Sequence, residues 1–250
     1  MNYILYRLKS INIPQKMIII ILFSFFVFLS TNNTINELYN IEILFIDAYK
    51  FTLNDPIIYY IPVVMLYFYF INHISQCEFE RKYVYRFKFK NELLKINIII
   101  NFIFTIIYIF SINILISLFL AIKFGLNINS DYVTYLATSC ILQILVLYIY
   151  NLLYILFDYV FVKNKLLILS ILNCLIILTT MIGTSLGDLS KLLNISLYTY
   201  FTVENIILSG KITLFGIMLL VFTIFLFTNI LHLLINKLEY TRYLNVYEDL

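Results

Sequence analysis

The stretch INIIINFIFTIIYIFSINILISLFLAI, residues 96–122, decides the fold of this chain, because none of its 27 residues carries a charge. A helix needs about 20 apolar residues to cross a hydrocarbon core of about 30 Å. In lipid a helix satisfies its own backbone hydrogen bonds, whereas the alternating segments of about ten residues that form membrane barrels do not recur here. The stretch therefore predicts a transmembrane helix.

Five further apolar runs accompany it, and together they predict an all-α, polytopic membrane protein with six spans in one domain, residues 1–250. The others are Met17–Thr31, Pro56–Ile74, Tyr132–Ile155, Leu166–Leu186 and Ile212–Ile235. Composition agrees, since 62% of the residues are apolar and 12% are charged, against about 25% charged in ordinary soluble domains. So few charges leave too little polar surface to cover a soluble globule.

The first two runs carry local features. Met17–Thr31 is short, and a cleaved signal peptide is its alternative interpretation. A cut after Ser30 would require a small residue where Phe28 stands, which disfavours that alternative. In the second run, Pro56 suits the first turn of a helix and Pro62 is expected to kink or loosen it.

The basic residues predict the orientation. Of 17 Lys and Arg, 13 fall on the side that holds both chain ends and 4 on the other, while the 14 carboxylates divide 7 and 7. Basic residues in short loops stay in the cytosol during insertion, and acidic residues exert little control. We therefore expect both ends, residues 1–16 and 236–250, to be cytosolic in a multi-pass plasma-membrane protein. The four basic residues assigned to the outside are Lys50, Lys123, Lys191 and Lys211.

Charge is most concentrated in the cytosolic segment 72–95, which includes CEFERKYVYRFKFKNELLK (77–95) and holds 6 basic and 3 acidic residues. One interpretation is a positive-inside anchor with aromatic rings at the lipid headgroups. The other is a docking element for a cytosolic partner. Its candidate contacts are Glu78, Glu80, Arg81, Tyr83, Tyr85 and Arg86. On the outer side, the apolar segment 185–211 predicts a pair of short re-entrant or interfacial helices, and segment 31–55 is expected to lie along the interface.

Motifs for catalysis and for metal, nucleotide or nucleic-acid binding are absent from the sequence. His73 and His232 match no two-ligand spacing, no GxSxG occurs, and Gly210-Lys211 lacks the other residues of a P-loop. The three cysteines show no disulfide or metal spacing. We therefore expect no catalytic site, cofactor or metal. The cysteines are Cys77, Cys140 and Cys174.

Uncharged polar residues are the main chemistry inside the predicted spans. They are Asn97, Asn101, Thr105, Asn113, Gln143, Asn151 and Asn173. No charge lies at mid-membrane, and Asp158 is expected at the cytosolic end of the fourth span. Hydrogen bonds between helices explain such residues by default. The alternative hypothesis is a polar substrate path made of Asn97, Asn101, Gln143, Asn151 and Asn173. The general abundance of Asn and Tyr is interpreted as a coding bias.

This layout resembles the ABC-2-type permease subunits of ATP-driven exporters. The resemblance rests on a basic amphipathic start (MNYILYRLKSINIPQK), six spans, the charged element CEFERKYVYRFKFKNELLK after the second span, and the apolar segment between the fifth and sixth. The short first span and the small outer loop after it depart from the commoner pattern.

Several expectations follow from the resemblance. It implies that the cytosolic element couples to a separate ABC ATPase subunit, that two permease subunits pair, and that the outer helices close an export path. The chain's size is similar to that of lantibiotic-immunity permeases, which implies a peptide antibiotic or other amphipathic substrate. A non-transporting immunity or sensor-anchoring protein whose loop docks a partner stays open as the alternative, and a membrane enzyme is a third.

Overall fold

A computed structural model describes residues 25, 27–38, 44–75, 90–125, 128–160, 165–185, 201 and 211–237. All secondary structure in these ranges is helical. The elements are α1 (27–37), α2 (Phe45–Asn54), a π-helical turn (Pro56–Tyr60), α3 (Ile61–Ser75), α4 (Lys90–Phe124), α5 (Ser130–Val160), α6 (Lys165–Ser185) and α7 (Lys211–Lys237). The prediction of an all-α chain is therefore confirmed for the described residues.

Three of the described helices are long and apolar enough to cross a membrane. The apolar stretches are Asn97–Phe124 in α4, Ser130–Asp158 in α5 and Gly216–Leu234 in α7. Two shorter apolar stretches, Ile61–Ile71 in α3 and Leu167–Met181 in α6, fall below spanning length within the described residues. Local composition is sufficient to form these helices, because their apolar runs are long and uninterrupted.

The connection between α4 and α5 has clear end signals. Gly125 follows α4 with a φ of 73°, and its N–H donates to the carbonyl of Ala121 at 3.0 Å, which is a left-handed helix end. The side chain of Asn129 accepts from the backbone N–H of Tyr132 at 2.9 Å, and Asp131 places a negative charge in the first turn of α5. These signals end α4 and begin α5, and the contacts of Ser117 with Tyr132 and of Asn101 with Asn151 show that the two helices are antiparallel.

The π-helical turn loosens the chain directly before Pro62, where the sequence predicts a kink or local loosening. Proline lacks the N–H that would continue a regular ladder, and here the N–H of Tyr60 reaches back five residues to the carbonyl of Asp55 at 3.2 Å. The Asp55 carboxylate also accepts from the N–H of Ile57 at 2.9 Å. The turn places Tyr59 and Tyr60 together in the interior.

Helix α5 lies at the centre of the bundle and α7 at its edge. In α5, 67% of the apolar stretch is buried, compared with 11% in α7, which packs mainly on α5. The exposed side chains of α7 are large and apolar, as in Met218, Phe222 and Leu233. Such a surface is suited to contact with lipid rather than water.

Segment 31–55, which is expected to lie along the interface, contains the end of α1 and the whole of α2. Helix α1 continues to residue 37, and α2 buries one face, including Ala48 and Leu53, against α4 and the π-helical turn. The start 1–16, the sequence around the docking candidates (76–89) and the tail 238–250 lie outside the described residues, as does segment 185–211 except for Ser185, Phe201 and Lys211.

Candidate functional site: a buried polar seam

Helix α4 carries a polar stripe through the interior of the bundle. Its polar residues recur at every fourth position, and the single interruption is at position 109, where Ile109 stands. The stripe consists of Asn97, Asn101, Thr105, Asn113 and Ser117. We call this stripe, together with the side chains that hydrogen-bond to it, the polar seam. Four-residue steps advance about 40° around a helix, so the stripe winds about α4, and its members contact α2, α3 and α5.

One group of the seam, the Asn113 cluster, joins four elements. The Tyr49 hydroxyl of α2 donates to Asn113 Oδ1. Asn113 Nδ2 donates to Gln143 Oε1 of α5 at 2.9 Å, and the same oxygen accepts from the Tyr59 hydroxyl at 3.4 Å. All four side chains are at most 1% exposed. The cluster therefore ties α2 and the π-helical turn to the α4–α5 hairpin.

Burial keeps the Tyr49 hydroxyl a neutral donor. Desolvation raises the pKa of this phenol well above its ordinary value of 10.0, and the nearby Tyr59 contributes in the same direction. The Tyr49 ring also makes edge contacts with Tyr132 and Tyr135 at centroid distances of 5.6 and 6.0 Å. The hydrogen bond to Asn113 is therefore held in place by aromatic packing and stays neutral at physiological pH.

A second group of the seam, the Asn101 cluster, lies farther along α4. Asn101 Nδ2 donates to Asn151 Oδ1 of α5 at 3.3 Å. Thr105 donates to the carbonyl of Asn101 at 2.8 Å and shares a 2.6 Å hydrogen bond with the Tyr67 hydroxyl of α3. Three helices are thus linked through uncharged groups.

A hydroxyl group beside the seam, the Tyr60 cluster, connects the π-helical turn to α5 and α6. The hydroxyls of Tyr60 and Tyr150 are 2.7 Å apart, and Thr179 Oγ1 lies 3.0 Å from the Tyr150 hydroxyl. The hydroxyl of Ser117, at the end of the stripe, lies 2.7 Å from that of Tyr132. With the bonds of Asn101 to Asn151 and of Asn113 to Gln143, this gives polar contacts between α4 and α5 at three levels.

Three amide atoms of the seam have no hydrogen-bond partner among the described residues: Gln143 Nε2, Asn101 Oδ1 and Asn151 Nδ2. The side chains that carry them are 0%, 2% and 0% exposed. A buried amide atom without a partner costs about 1–3 kcal/mol. The seam thus keeps two amide N–H donor groups and one carbonyl acceptor unused among the described residues.

The structure brings some of the sequence-predicted path residues together. Asn101 and Asn151 are hydrogen-bonded, and Gln143 lies in the Asn113 cluster. Asn97 is buried on the same stripe, whereas Asn173 is half-buried on α6 and belongs to none of the three clusters. The six docking candidates around Glu80 lie outside the described residues.

Sequence reasoning missed the tyrosines of these clusters, because the richness in tyrosine was interpreted as compositional. Their hydroxyls bond to side chains of Asn113, Gln143, Thr105 and Thr179, and those of Tyr60 and Tyr150 bond to each other. The missed residues are Tyr49, Tyr59, Tyr60, Tyr67 and Tyr150. Only Tyr150 has an Asn, Gln, Ser or Thr next to it in the sequence, so no local pattern identifies these tyrosines as a group.

Between Ser185 and Lys211, which bound the predicted outer helices, Phe201 is the one described residue, and it is fully buried. Its ring contacts Tyr60 at 4.9 Å and Tyr59 at 5.7 Å between centroids. The predicted helices around it, 189–209, contain many apolar side chains, and exposing them to water would cost about 25 cal/mol per Å².

We expect the backbone amides of Leu192 to Phe201 to be protected from hydrogen exchange in lipid. The physical reason is that a packed helix shields its N–H groups from solvent. Exchange measured by mass spectrometry on protein in nanodiscs provides the check. Rates typical of a disordered loop would contradict the prediction of outer helices.

Comparison of this chain with family models, with curated proteins and with solved structures finds no match. In the described residues no three His, Cys, Asp or Glu side chains lie close enough to hold a metal ion. The apolar helices and the seam indicate a helical membrane protein whose buried polar side chains, in the part of the chain that the structure describes, are hydrogen-bonding and uncharged.

Proposed function

We propose that this chain is the membrane-spanning permease subunit of an ATP-driven exporter of the ABC-2 type. It crosses the plasma membrane six times with both ends in the cytosol, pairs with a second permease subunit and recruits a separate ABC ATPase subunit. The substrate is a peptide antibiotic or another amphipathic molecule.

The polar seam is the observation that carries this proposal. From Asn97 to Ser117 the stripe spans twenty residue steps of α4, or about 30 Å at 1.5 Å per residue. That length equals the thickness of the hydrocarbon core. A few hydrogen bonds are enough to hold helices together. The repetition of polar side chains at five positions across the thickness of the membrane therefore favours a route for a hydrogen-bonding molecule.

The chemistry of the seam favours a neutral substrate group. Every buried polar residue in the described part of the chain is uncharged, being Asn, Gln, Ser or Thr. Ion and proton routes in membranes are usually marked by carboxylates or basic residues. Amide and hydroxyl groups instead match peptide bonds, because they offer donors and acceptors without charge.

Reconstitution with the ATPase encoded beside the gene tests the proposal. We expect this protein to stimulate ATP hydrolysis in proteoliposomes, and a transported peptide to stimulate it further. Asn151→Leu should reduce the peptide-dependent part, because it removes an amide of the seam. Asn229→Leu is the matched control, since Asn229 is exposed on α7 and bonds to its own helix at the Phe225 carbonyl.

The same experiment separates the alternative of a non-transporting immunity or sensor-anchoring protein. Such a protein binds its partner without stimulating hydrolysis. ATP turnover that is unchanged by this chain and by every peptide tried would reject the exporter.

The orientation gives a further prediction. In a background that lacks Cys77, Cys140 and Cys174, Asn127→Cys and Ser190→Cys should react with an impermeant thiol reagent in intact cells. Lys88→Cys should stay unlabelled because the basic loop is held in the cytosol. Labelling is measured by a mass shift on gels, with permeabilised cells as the control. Reaction of Lys88→Cys from outside would reverse the orientation.

A further inference from the structure

A groove of about 500 Å³ runs between α4 and α5 and opens outward. Phe102, Ile106 and Phe110 form its α4 wall, and Ala137, Cys140 and Ile141 are among its α5 residues. All of these residues lie within the two stretches that are long enough to span a membrane, Asn97–Phe124 and Ser130–Asp158. In a bilayer the groove therefore faces hydrocarbon.

The groove is elongated. Its α4 wall spans eight residue steps, from Phe102 to Phe110, and its α5 wall twelve, from Val133 to Leu145. At 1.5 Å per residue these walls are about 12 and 18 Å long. Since both helices border the groove lengthwise, its long axis follows the direction in which lipid chains lie. The Phe102 ring is fixed by an edge contact with Tyr148 at 4.9 Å, which gives the groove a formed wall.

We propose that this groove binds one acyl chain of a bilayer phospholipid. Its lining is apolar, and its volume is within the range of about 300–1,000 Å³ that small-molecule pockets occupy. Surfaces that receive another transmembrane helix are enriched in Gly, Ala, Ser and Thr, which allow backbones to approach. Ala137 is the single residue of those four types in the lining of the groove. Walls made largely of Phe, Ile and Leu therefore suit an acyl chain, which is thinner than a helix.

A bulky substitution that fills the groove tests the proposal, and the same substitution on the exposed surface outside the groove is its control. Ile141 lines the groove and is 50% exposed, whereas Ile114 is 54% exposed on α4 and lies outside it. Native mass spectrometry of the detergent-released protein should show one retained phospholipid per chain in the wild type and in Ile114→Trp, and its loss in Ile141→Trp. Equal retention in the two variants overturns the proposal. So does a dimer that only Ile141→Trp dissociates, because a second copy would then fill the groove.

A second measurement detects the bound lipid by fluorescence quenching and uses variants that do not fill the groove. The natural chain has no Trp, so each substitution creates a single fluorophore. Phe102→Trp reports from the groove and Phe222→Trp from the exposed face of α7. Protein saturated with phosphatidylcholine brominated on one acyl chain is diluted into unbrominated vesicles. We expect Phe102→Trp to stay quenched while Phe222→Trp recovers at once. Equally fast recovery in both overturns the proposal.

Discussion

Reversing the charges of two adjacent residues, as Glu80→Arg with Arg81→Glu, is expected to abolish association with the ATPase and to abolish transport. The proposed exporter needs a cytosolic contact with its ATPase, and segment 72–95 combines the densest charge of the sequence with aromatic bulk. Arg and aromatic residues most often dominate binding energy at interfaces. Co-purification of the ATPase and peptide transport in proteoliposomes are the measurements, with insertion and helix content unchanged.

The reversal discriminates docking from anchoring because the net charge of the pair is zero before and after it. A membrane anchor responds to the total basic charge of the segment and tolerates the exchange. Unaltered co-purification of the ATPase would leave the anchor as the explanation of the segment.

An exposed ion pair elsewhere in the chain supplies the matched control. Lys50 Nζ lies 3.7 Å from Asp47 Oδ1 on α2, and exposed pairs of this kind contribute about 0–1 kcal/mol. Asp47→Lys with Lys50→Asp also leaves the net charge unchanged. We expect it to retain ATPase binding, because α2 is assigned to the outer side. Equal losses of ATPase binding in the two double variants would show that charge reversal disturbs the fold and not a specific contact.

Asn113→Leu is expected to lower the free energy of unfolding by about 2–4 kcal/mol, the largest stability effect among the seam residues. The substitution leaves the Tyr49 hydroxyl without its acceptor and removes the 2.9 Å bond to Gln143, inside a fully buried cluster. Each buried group that loses its partner costs about 1–3 kcal/mol. Unfolding in mixed micelles titrated with a denaturing detergent measures the difference.

Asn229→Leu is again the control, and its unfolding free energy should change by less than about 0.5 kcal/mol because Asn229 is exposed and bonds within its own helix. A double-mutant cycle with Gln143→Leu isolates the Asn113–Gln143 bond, for which we expect a coupling of about 1 kcal/mol. A loss at Asn113 no greater than that at Asn229 would mean that the cluster does not hold the bundle together.

Prediction from sequence succeeded best where the determining physics is local. Helix α4 was expected over Ile96–Ile122 and the structure has it within Lys90–Phe124, because a long apolar run specifies a helix by itself. Pro62 likewise predicts a local loosening of the helix, and the structure has the π-helical turn directly before it. The polar side chains of the spans were found as well, since an Asn within such a run needs a partner in any fold.

The sequence by itself determined that the chain lies in a membrane, that it is helical and that the polar residues within its apolar runs are uncharged. These properties follow from composition and from short windows of the chain. Only the tertiary structure decided which side chains meet. Tyr49 and Asn113 are 64 residues apart, and Tyr60 and Tyr150 are 90 apart. No local periodicity connects such positions, so the polar seam exists only once the helices pack. The groove is likewise a product of packing, since it lies between two helices and belongs to neither alone.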